Sequence, residues 1–417
     1  MAGRVTEFED VVVVGCGGIG LAVAVAFASR GVRVLGVDID AALVERLGRG
    51  ALSLLEEGLD EALAKALANG TIRFAATIDP ARGPRAFILA VPTPADDRGF
   101  DPRPLGETLN AVKAVAAAGD LVCIRSTAPI GAARALAAMA PQLRFAACPD
   151  RSIAGRALPE QFSVPHLVGG LDEASASAAE ALFGVLGQTV RLPDPESAEA
   201  AKLFANIERD VTFALANQFA RVCEAAGVDM ASIRAAGAHD FPRFRLARPG
   251  PVGGPCLSKD LHVLAASPAL AGEPLTLLRA ARDLNAGLAE ALAGRIAADL
   301  AAAPGPVAIL GLAFKGAPPT RDVRQGFGGR VMEALASICP GAELRSWDPV
   351  LGDAAGRRLA LDGACVVVLA NDHPDLAKTD DWSERLWPGA VVYDTAGLLS
   401  AVPPGLVLRR FGDGRRV

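Results

Sequence analysis

At 417 residues the chain is too long for one ordinary core, so about two or three domains are expected. A net charge of −5 offers no basic face for nucleic acid or an anionic membrane. Seven scattered cysteines without a Cys-x-x-Cys pair, and four histidines, exclude an obvious zinc site and fit free thiols in a reducing cytoplasm.

The start, Met1 to Asp10, carries Glu7, Glu9 and Asp10 and lacks a basic leader with a cleavage site. Val11 to Ser29 is uncharged and apolar, long enough for a membrane span. Gly15-Cys-Gly-Gly-Ile-Gly20 splits it, so it reads as a strand, a tight turn and a buried helix. Gly15, Gly17 and Gly20 have the spacing of a dinucleotide turn: one turns the chain, one admits pyrophosphate, one lets helix pack on strand. A second strand, Val32 to Val37, ends at Asp38, where a carboxylate can bond a ribose 2′-OH and would repel a 2′-phosphate. NAD is therefore expected rather than NADP.

Three more strands follow, Ala86–Val91, Leu121–Ile124 and Phe145–Ala147, ending near Thr93, Thr127 and Asp150-Arg151. Ligands collect at the carboxyl ends of strands in open α/β sheets, so these residues are candidates to face cofactor or substrate. Each alone could be a turn or cap residue.

Glu196 to Ala226 contains no Gly or Pro and reads as one long helix between Pro195 and Gly227. Lys202 and Asn206 share a face of it; such residues are most often plain surface. A helix of this length between two nucleotide-binding folds is a natural spine and homodimer surface. Arg243, Arg245 and Arg248 then precede a glycine-rich turn and suit a diphosphate, or else form a solvated basic loop.

The turn is Gly250-Pro-Val-Gly-Gly-Pro-Cys-Leu-Ser-Lys-Asp260. Gly253 and Gly254 allow backbone to approach a ligand. A helix starting near Cys256 would favour its thiolate, with Lys259 adding positive charge and Asp260 on the same helical face. Taken alone, a cysteine after a loop is more often a small buried residue.

Leu275 to Leu300 reads as a helix and Pro304-Gly-Pro306 as a linker. The remainder echoes the front: Val307–Leu310 runs into Gly311, Glu343–Trp347 into Asp348, and Cys365–Leu369 and Val391–Tyr393 end at Asn371 and Asp394. The expected architecture is α/β: two Rossmann-like doubly wound domains joined by a long central helix and a helical middle domain. Its expected boundaries are 1–193, 194–303 and 304–417.

These pieces, in order, resemble the UDP-glucose/GDP-mannose dehydrogenase family. The carriers are Gly15-Cys-Gly-Gly-Ile-Gly20, Val91-Pro-Thr-Pro94, Ser126-Thr-Ala-Pro-Ile-Gly131, Cys148-Pro-Asp-Arg151, Ala201-Lys-Leu-Phe-Ala-Asn206, Gly253-Gly-Pro-Cys-Leu-Ser-Lys-Asp260 and Gly311-Leu-Ala-Phe-Lys315 with Asp322-Val-Arg324. The resemblance implies a cytoplasmic homodimer that oxidises a primary alcohol of a nucleotide sugar to a carboxylate with two NAD, without metal. It implies Cys256 as nucleophile, with Lys202 and Asn206 stabilising an oxyanion or Lys202 assisting proton removal. Asp260 would hold or activate water with Thr127, and Asp150 would promote thioester hydrolysis. Thr93, Lys259 and Arg324 would reach NAD. Arg151, Arg243, Gly253, Gly254 and Lys315 would line the sugar-nucleotide site.

The chain departs from the family at Asp150, where Glu is usual, and at Ala205, Gln218 and Arg321-Asp322. The motifs around Cys148, Ser126 and Pro249 look most like enzymes of UDP-N-acetylmannosamine or UDP-N-acetylglucosamine, with UDP-glucose or an unusual nucleotide next. A two-electron β-hydroxyacid dehydrogenase would need neither Cys256 nor a second lobe. A non-catalytic NAD-binding homologue would be expected to have lost its nucleophile.

Overall fold

The computed structural model describes residues 7–80 and 83–414, so part of the N-terminal stretch read for a leader lies outside the described residues. The chain divides into two compact units. One comprises Met1–Ala205 with Lys259–Pro274, the other Asn206–Ser258 with Leu275–Val417. The stretch expected as a separate middle domain is thus shared between the two.

The first unit is built on ten strands: β1 (Asp10–Val14), β2 (Val34–Val37), β3 (Ile72–Ala75), β4 (Arg85–Leu89), β5 (Ala95–Asp96), β6 (Gly99–Phe100), β7 (Leu121–Ile124), β8 (Arg144–Ala147), β9 (His166–Gly170) and β10 (Thr189–Leu192). Eight form one sheet in the order β10-β9-β8-β7-β4-β1-β2-β3, while β5 and β6 make a small hairpin. Neighbours in the sheet run parallel except β8 and β9. Strand side chains alternate between faces. Val11, Val13, Ile88 and Cys123 accordingly join Phe27 and Phe183 in one core. Val12, Val14, Phe87 and Val122 join Leu105, Leu109 and Leu136 in the other. Because both faces are covered, the strands are continuously apolar rather than alternating.

The apolar run from Val11 resolves as read from the sequence. β1 is followed by the helix Gly18–Ser29, whose residues from Gly20 to Ala28 are all buried. Among the described residues no helix is long and apolar enough to cross a membrane.

The second unit has β11 (Val307–Leu310), β12 (Leu344–Trp347), β13 (Val366–Leu369), β14 (Val391–Asp394) and β15 (Val407–Arg410) in the parallel order β12-β11-β13-β14-β15. Its resemblance to the front extends to atomic detail. A Cβ on Gly20 would lie 1.7 Å from the Gly15 carbonyl oxygen, and one on Gly328 2.6 Å from that of Gly311. Both Gly15 and Gly311 turn the chain at positive φ, +93° and +97°. In each unit the first strand enters a glycine turn and the returning helix rests on that turn.

The long helix spans Pro195–Ala226, one residue earlier than expected. The single helix expected over 275–300 is instead two, Thr276–Ala286 and Leu288–Ala302, because Gly287 ends one and begins the next. Replacing Gly20 with Ala drives a methyl into the Gly15 carbonyl. Overpacking of this kind costs about 3 kcal/mol. The urea midpoint of Gly20→Ala should fall accordingly, and an unchanged midpoint would show that the turn does not depend on this contact.

Candidate functional site

In the first unit the order of strands reverses beside β1, between β2 and β4, and this is where an open α/β sheet holds ligand. Gly15 passes so close to β4 that a Cβ would meet the Ala90 oxygen at 2.6 Å. Gly17 differs: a Cβ there finds no atom within 4 Å, which leaves an open cradle before the helix. That helix has no side-chain cap and no acid in its first turn, so its amino end favours phosphate. Asp38 sits half-exposed at the end of β2. Its Oδ2 accepts the Cys16 amide at 2.8 Å and its Oδ1 the Asp40 amide at 3.0 Å, which fixes its orientation. Beside it Ile39 is 97% exposed, an apolar ridge that sequence reasoning passed over. An open glycine cradle, an uncapped helix end, a fixed carboxylate and an apolar ridge fit NAD. Burial and Asp38 push the Cys16 thiol up to about 12, so it stays neutral.

Thr93 is buried and Thr127 half-buried, both in loops after the strands. Ser126 ties these loops together, donating to the Leu89 and Val91 carbonyls at 3.2 and 2.8 Å. The Gly131 and Ala133 amides donate to Glu199 at 2.6 and 2.8 Å.

Asp150 occupies a closed cluster. Its Oδ1 accepts Arg125 Nη2 at 2.7 Å and Gln161 Nε2 at 3.1 Å; its Oδ2 accepts the Ser152 amide at 3.0 Å and hydroxyl at 2.6 Å. A carboxylate has about four acceptor positions, and all are taken. Burial alone would raise its pKa, but Arg125, Ser152, Gln161 and Lys202 outweigh burial and hold it below the usual range. Asp150 is therefore a fixed anion with no lone pair open to a water proton, which is not the geometry of the hydrolytic acid expected from the resemblance. Nearby His166 is pushed down to about 4, first by burial and then by Arg125. Arg125 and Gln161 were not expected at the site; an arginine closing a buried strand beside a shortened acid was their signal. Lys202 joins Asp150 through its field, while Arg151 turns outward to the Pro165 carbonyl.

Lys259 does not lie free. Its Nζ is 3.0 Å from buried Asp260, which opens the helix Asp260–Ala265.

In the second unit Cys256 is exposed, the only cysteine among the described residues classed so. It lies in a turn rather than at a helix start, and Cys256 and Asp260 therefore share no helical face. The turn persists because Gly254 takes φ +87° and Ser258 Oγ donates to its carbonyl at 2.8 Å. Gly253 and Gly254 are needed for close packing: a Cβ would meet the Gln325 oxygen at 2.7 Å and the Phe314 ring at 2.6 Å respectively. Arg324 is paired with Asp322 at 2.7 Å. Its pKa is raised by Asp322 and, to a lesser degree, by Cys256, so Arg324 and Cys256 feel each other. Lys315 lies 5.8 Å from the centre of the Phe314 ring. Asn206 is buried on the long helix, one turn after Lys202.

The three arginines expected to grip a diphosphate do not converge. Arg243 stacks on Phe241, Arg245 donates to the Pro242 carbonyl, and Arg248 donates to the carbonyls of Ala396 and Gly397. Among the described residues there is no cluster of His, Cys, Asp or Glu able to hold a metal.

A dinucleotide-binding Rossmann unit, a second nucleotide-type sheet and an exposed cysteine on a glycine turn define a class of NAD-dependent oxidoreductases. Comparison with known proteins narrows that class. Residues 9–186 match the NAD-binding domain, and residues 196–287 the central domain, of the UDP-glucose/GDP-mannose dehydrogenase family. A UDP-N-acetyl-D-mannosamine dehydrogenase of Pyrococcus horikoshii is 30% identical over 97% of this chain and 99% of its own. An NDP-N-acetyl-D-galactosaminuronic acid dehydrogenase of Ralstonia nicotianae is 31% identical over 95% of this chain and 97% of its own. The structure of the Pyrococcus UDP-D-ManNAc dehydrogenase superposes with a TM-score of 0.87 at 28% identity, covering 97% of this chain and 99% of that one. The chain belongs to the UDP-glucose/GDP-mannose dehydrogenase family and is an NAD-dependent nucleotide-sugar dehydrogenase.

Two predictions follow from the first unit. Asp150→Asn leaves Arg125 charged and buried without its partner, a loss of about 3–5 kcal/mol. Thermal unfolding should show a large drop in Tm, and a stable Asp150→Asn with wild-type Tm would refute the closed ion pair. Burial is the main cause raising the Glu199 pKa, to about 7 from the usual 4.5. The folded state then binds more protons than the unfolded state between those values. Stability should be highest below the unfolded pKa and decline as pH rises through the folded one. Glu199→Gln should flatten the Tm profile across that window; an equally sloped profile would assign the pH dependence elsewhere.

Proposed function

We propose that the chain oxidises the C6 alcohol of a UDP-N-acetylhexosamine, UDP-N-acetylmannosamine or UDP-N-acetylglucosamine, to the uronate through covalent intermediates on Cys256. The observation that carries this reading is Cys256 itself: an exposed thiol on a packed glycine turn within a family whose relatives act, by name, on UDP-N-acetyl-D-mannosamine. Gly15, Gly17, Gly20 and Asp38 would hold NAD, and two NAD molecules bound in turn would supply the hydride acceptor for the two oxidations.

The first oxidation leaves an aldehyde at C6 and releases the hydroxyl proton. The Cys256 sulfur adds to that carbonyl carbon, forming a thiohemiacetal. Loss of the second hydride from C6 and of the hydroxyl proton converts it to a thioester without breaking the C–S bond. Water then adds, the thiolate leaves and takes up one of the water's protons, and a carboxylate and one further proton result. Holding the half-oxidised product covalently divides one hard step into easier ones. Lys202 and Asn206 stabilise the C6 oxygen as negative charge grows, donors worth about 3–4 kcal/mol each by comparison with oxyanion holes.

Asp260 is the group we assign to the hydrolytic water, with Thr127 ordering it. Asp150 serves as a fixed anion in the field of Lys202, consistent with its saturated oxygens and its lowered pKa. By the family resemblance Arg324 and Lys259 are assigned to the cofactor and Lys315 to the sugar nucleotide, whereas Arg151 and Arg243 are engaged by the Pro165 carbonyl and the Phe241 ring. A homodimer through the long helix is supported by Phe204, Leu215, Phe219 and Val222, exposed apolar residues along it. Seven free thiols agree with a cytoplasmic location.

The test is the yield of NADH per sugar nucleotide with NAD. The panel is UDP-N-acetylmannosamine, UDP-N-acetylglucosamine, UDP-glucose, UDP-galactose and GDP-mannose. Two NADH from a UDP-N-acetylhexosamine, abolished in Cys256→Ala, is expected. One NADH and a free aldehyde would overturn the second half of the reaction. Two NADH from another sugar alone would overturn the substrate.

A further inference from the structure

The segment bearing Cys256 is gripped by a buried polar net within the second unit. Asn217, on the long helix, meets the Gly250 peptide with both halves of its amide. The Gly250 N–H donates to its Oδ1 at 2.8 Å, and its Nδ2 donates to the Gly250 carbonyl at 3.0 Å. The same Nδ2 donates to Asn285 Oδ1 at 3.0 Å. Asn285 Nδ2 in turn donates to the carbonyl and the Oδ1 of Asp210, both at 2.8 Å. Arg282 Nη1 donates to that Oδ1 at 2.8 Å and to the carbonyl of Leu257, the residue after Cys256, at 3.1 Å. Exposures are 2% for Asn217, 1% for Asn285, 4% for Asp210 and 7% for Arg282. The net therefore begins where the glycine turn begins and ends beside the cysteine.

Stability does not account for it. A buried ion pair recovers little beyond its desolvation, and an apolar replacement of similar volume is often neutral or better. A fully satisfied polar net instead selects one conformation. The turn needs such selection, because Gly250-Pro-Val-Gly-Gly-Pro has few side chains with which to anchor itself. A carboxamide presents a donor and an acceptor side by side and so serves both the N–H and the carbonyl of one residue, which accounts for Asn at 217. Arg282 serves both the Asp210 carboxylate and the Leu257 carbonyl from one nitrogen, Nη1, at a reach that the shorter lysine lacks. Between the two ends, the Gly254 amide donates to the Gln325 carbonyl at 3.2 Å, so the turn is held at its start, middle and finish.

We propose that Asn217 and Arg282, joined through Asn285 and Asp210, are positioning residues that hold the Cys256 sulfur in its reactive place. This rests on the reading of Cys256 as nucleophile. The test uses the full chain carrying Arg282→Lys, which keeps a charge for Asp210 but gives up the bridge to Leu257. Readouts are kcat, KM for NAD, the fraction folded, and the pH profile of Cys256 alkylation by iodoacetamide, followed on its own peptide by mass. A misplacement of about 1 Å lowers turnover on the order of 10²-fold.

The expected result is that loss in kcat, KM for NAD unchanged, and an altered alkylation profile in folded protein. Should Arg282→Lys not fold, Asn217→Ser, which keeps one hydrogen bond to Gly250, supplies the same readouts. Wild-type kcat and alkylation in a folded variant would overturn the proposal, as would a loss of activity matched by loss of folded protein. Cys256→Ala is run beside them. If it is inactive while Arg282→Lys is normal, positioning alone is refuted. If it is fully active, the nucleophile is refuted, and the alkylation profile still decides whether the net holds the turn.

Discussion

The structure depends on one constraint used twice: a strand must enter a turn whose amides are taken by a carboxylate at the end of the next strand. In the first unit Asp38 takes the Cys16 amide. In the second, Asp348 Oδ2 takes the Leu312 and Ala313 amides at 2.7 and 2.9 Å. Each carboxylate satisfies backbone donors that a tight turn would leave without partners. The two differ in exposure. Asp38 keeps an accessible edge, whereas Asp348 is 2% exposed. The same device supports a ligand-facing acid in one sheet and a structural acid in the other. That difference agrees with a complete dinucleotide fingerprint at the front and an incomplete one at the back.

Much of this was legible because the motifs are local. β1, β7, β11 and the long helix lie within a residue of their expected bounds, since β-branched runs and a stretch without Gly or Pro determine conformation over short distances. The unforeseen strands have poor local signals. β9 ends in Gly169-Gly170, a weak strand signal. Yet a Cβ on Gly169 would meet the Asp194 oxygen at 2.3 Å, so glycine there answers to packing rather than to a turn. β9 is also the antiparallel neighbour of β8, a pairing that no periodicity in the chain announces.

The members proposed for the site came from sequence motifs, while their environment was less legible. Cys256, Lys202, Asn206 and the glycines could be named from motifs, but the surroundings of Asp150 could not. Arg125 lies 25 residues before it and Gln161 11 residues after, so the closure of its carboxylate is a tertiary fact. A helix starting near Cys256, entertained from the sequence, is not formed, because the positive φ of Gly254 and the Ser258 hydrogen bond hold the chain in turns up to Lys259.

The distribution of thiols determines how oxidants would meet this protein. Cys16, Cys123, Cys148, Cys223 and Cys365 are buried, and burial raises the pKa of Cys16, Cys123, Cys223 and Cys365. Peroxide reacts with accessible thiolates, so burial shields all five sterically, and the raised pKa shields Cys16, Cys123, Cys223 and Cys365 further. Cys256 stands in solvent within the field of Arg324. Oxidation to the sulfenic acid would therefore begin at the residue assigned to catalysis, and a cellular thiol could reverse it while the folded scaffold remained untouched.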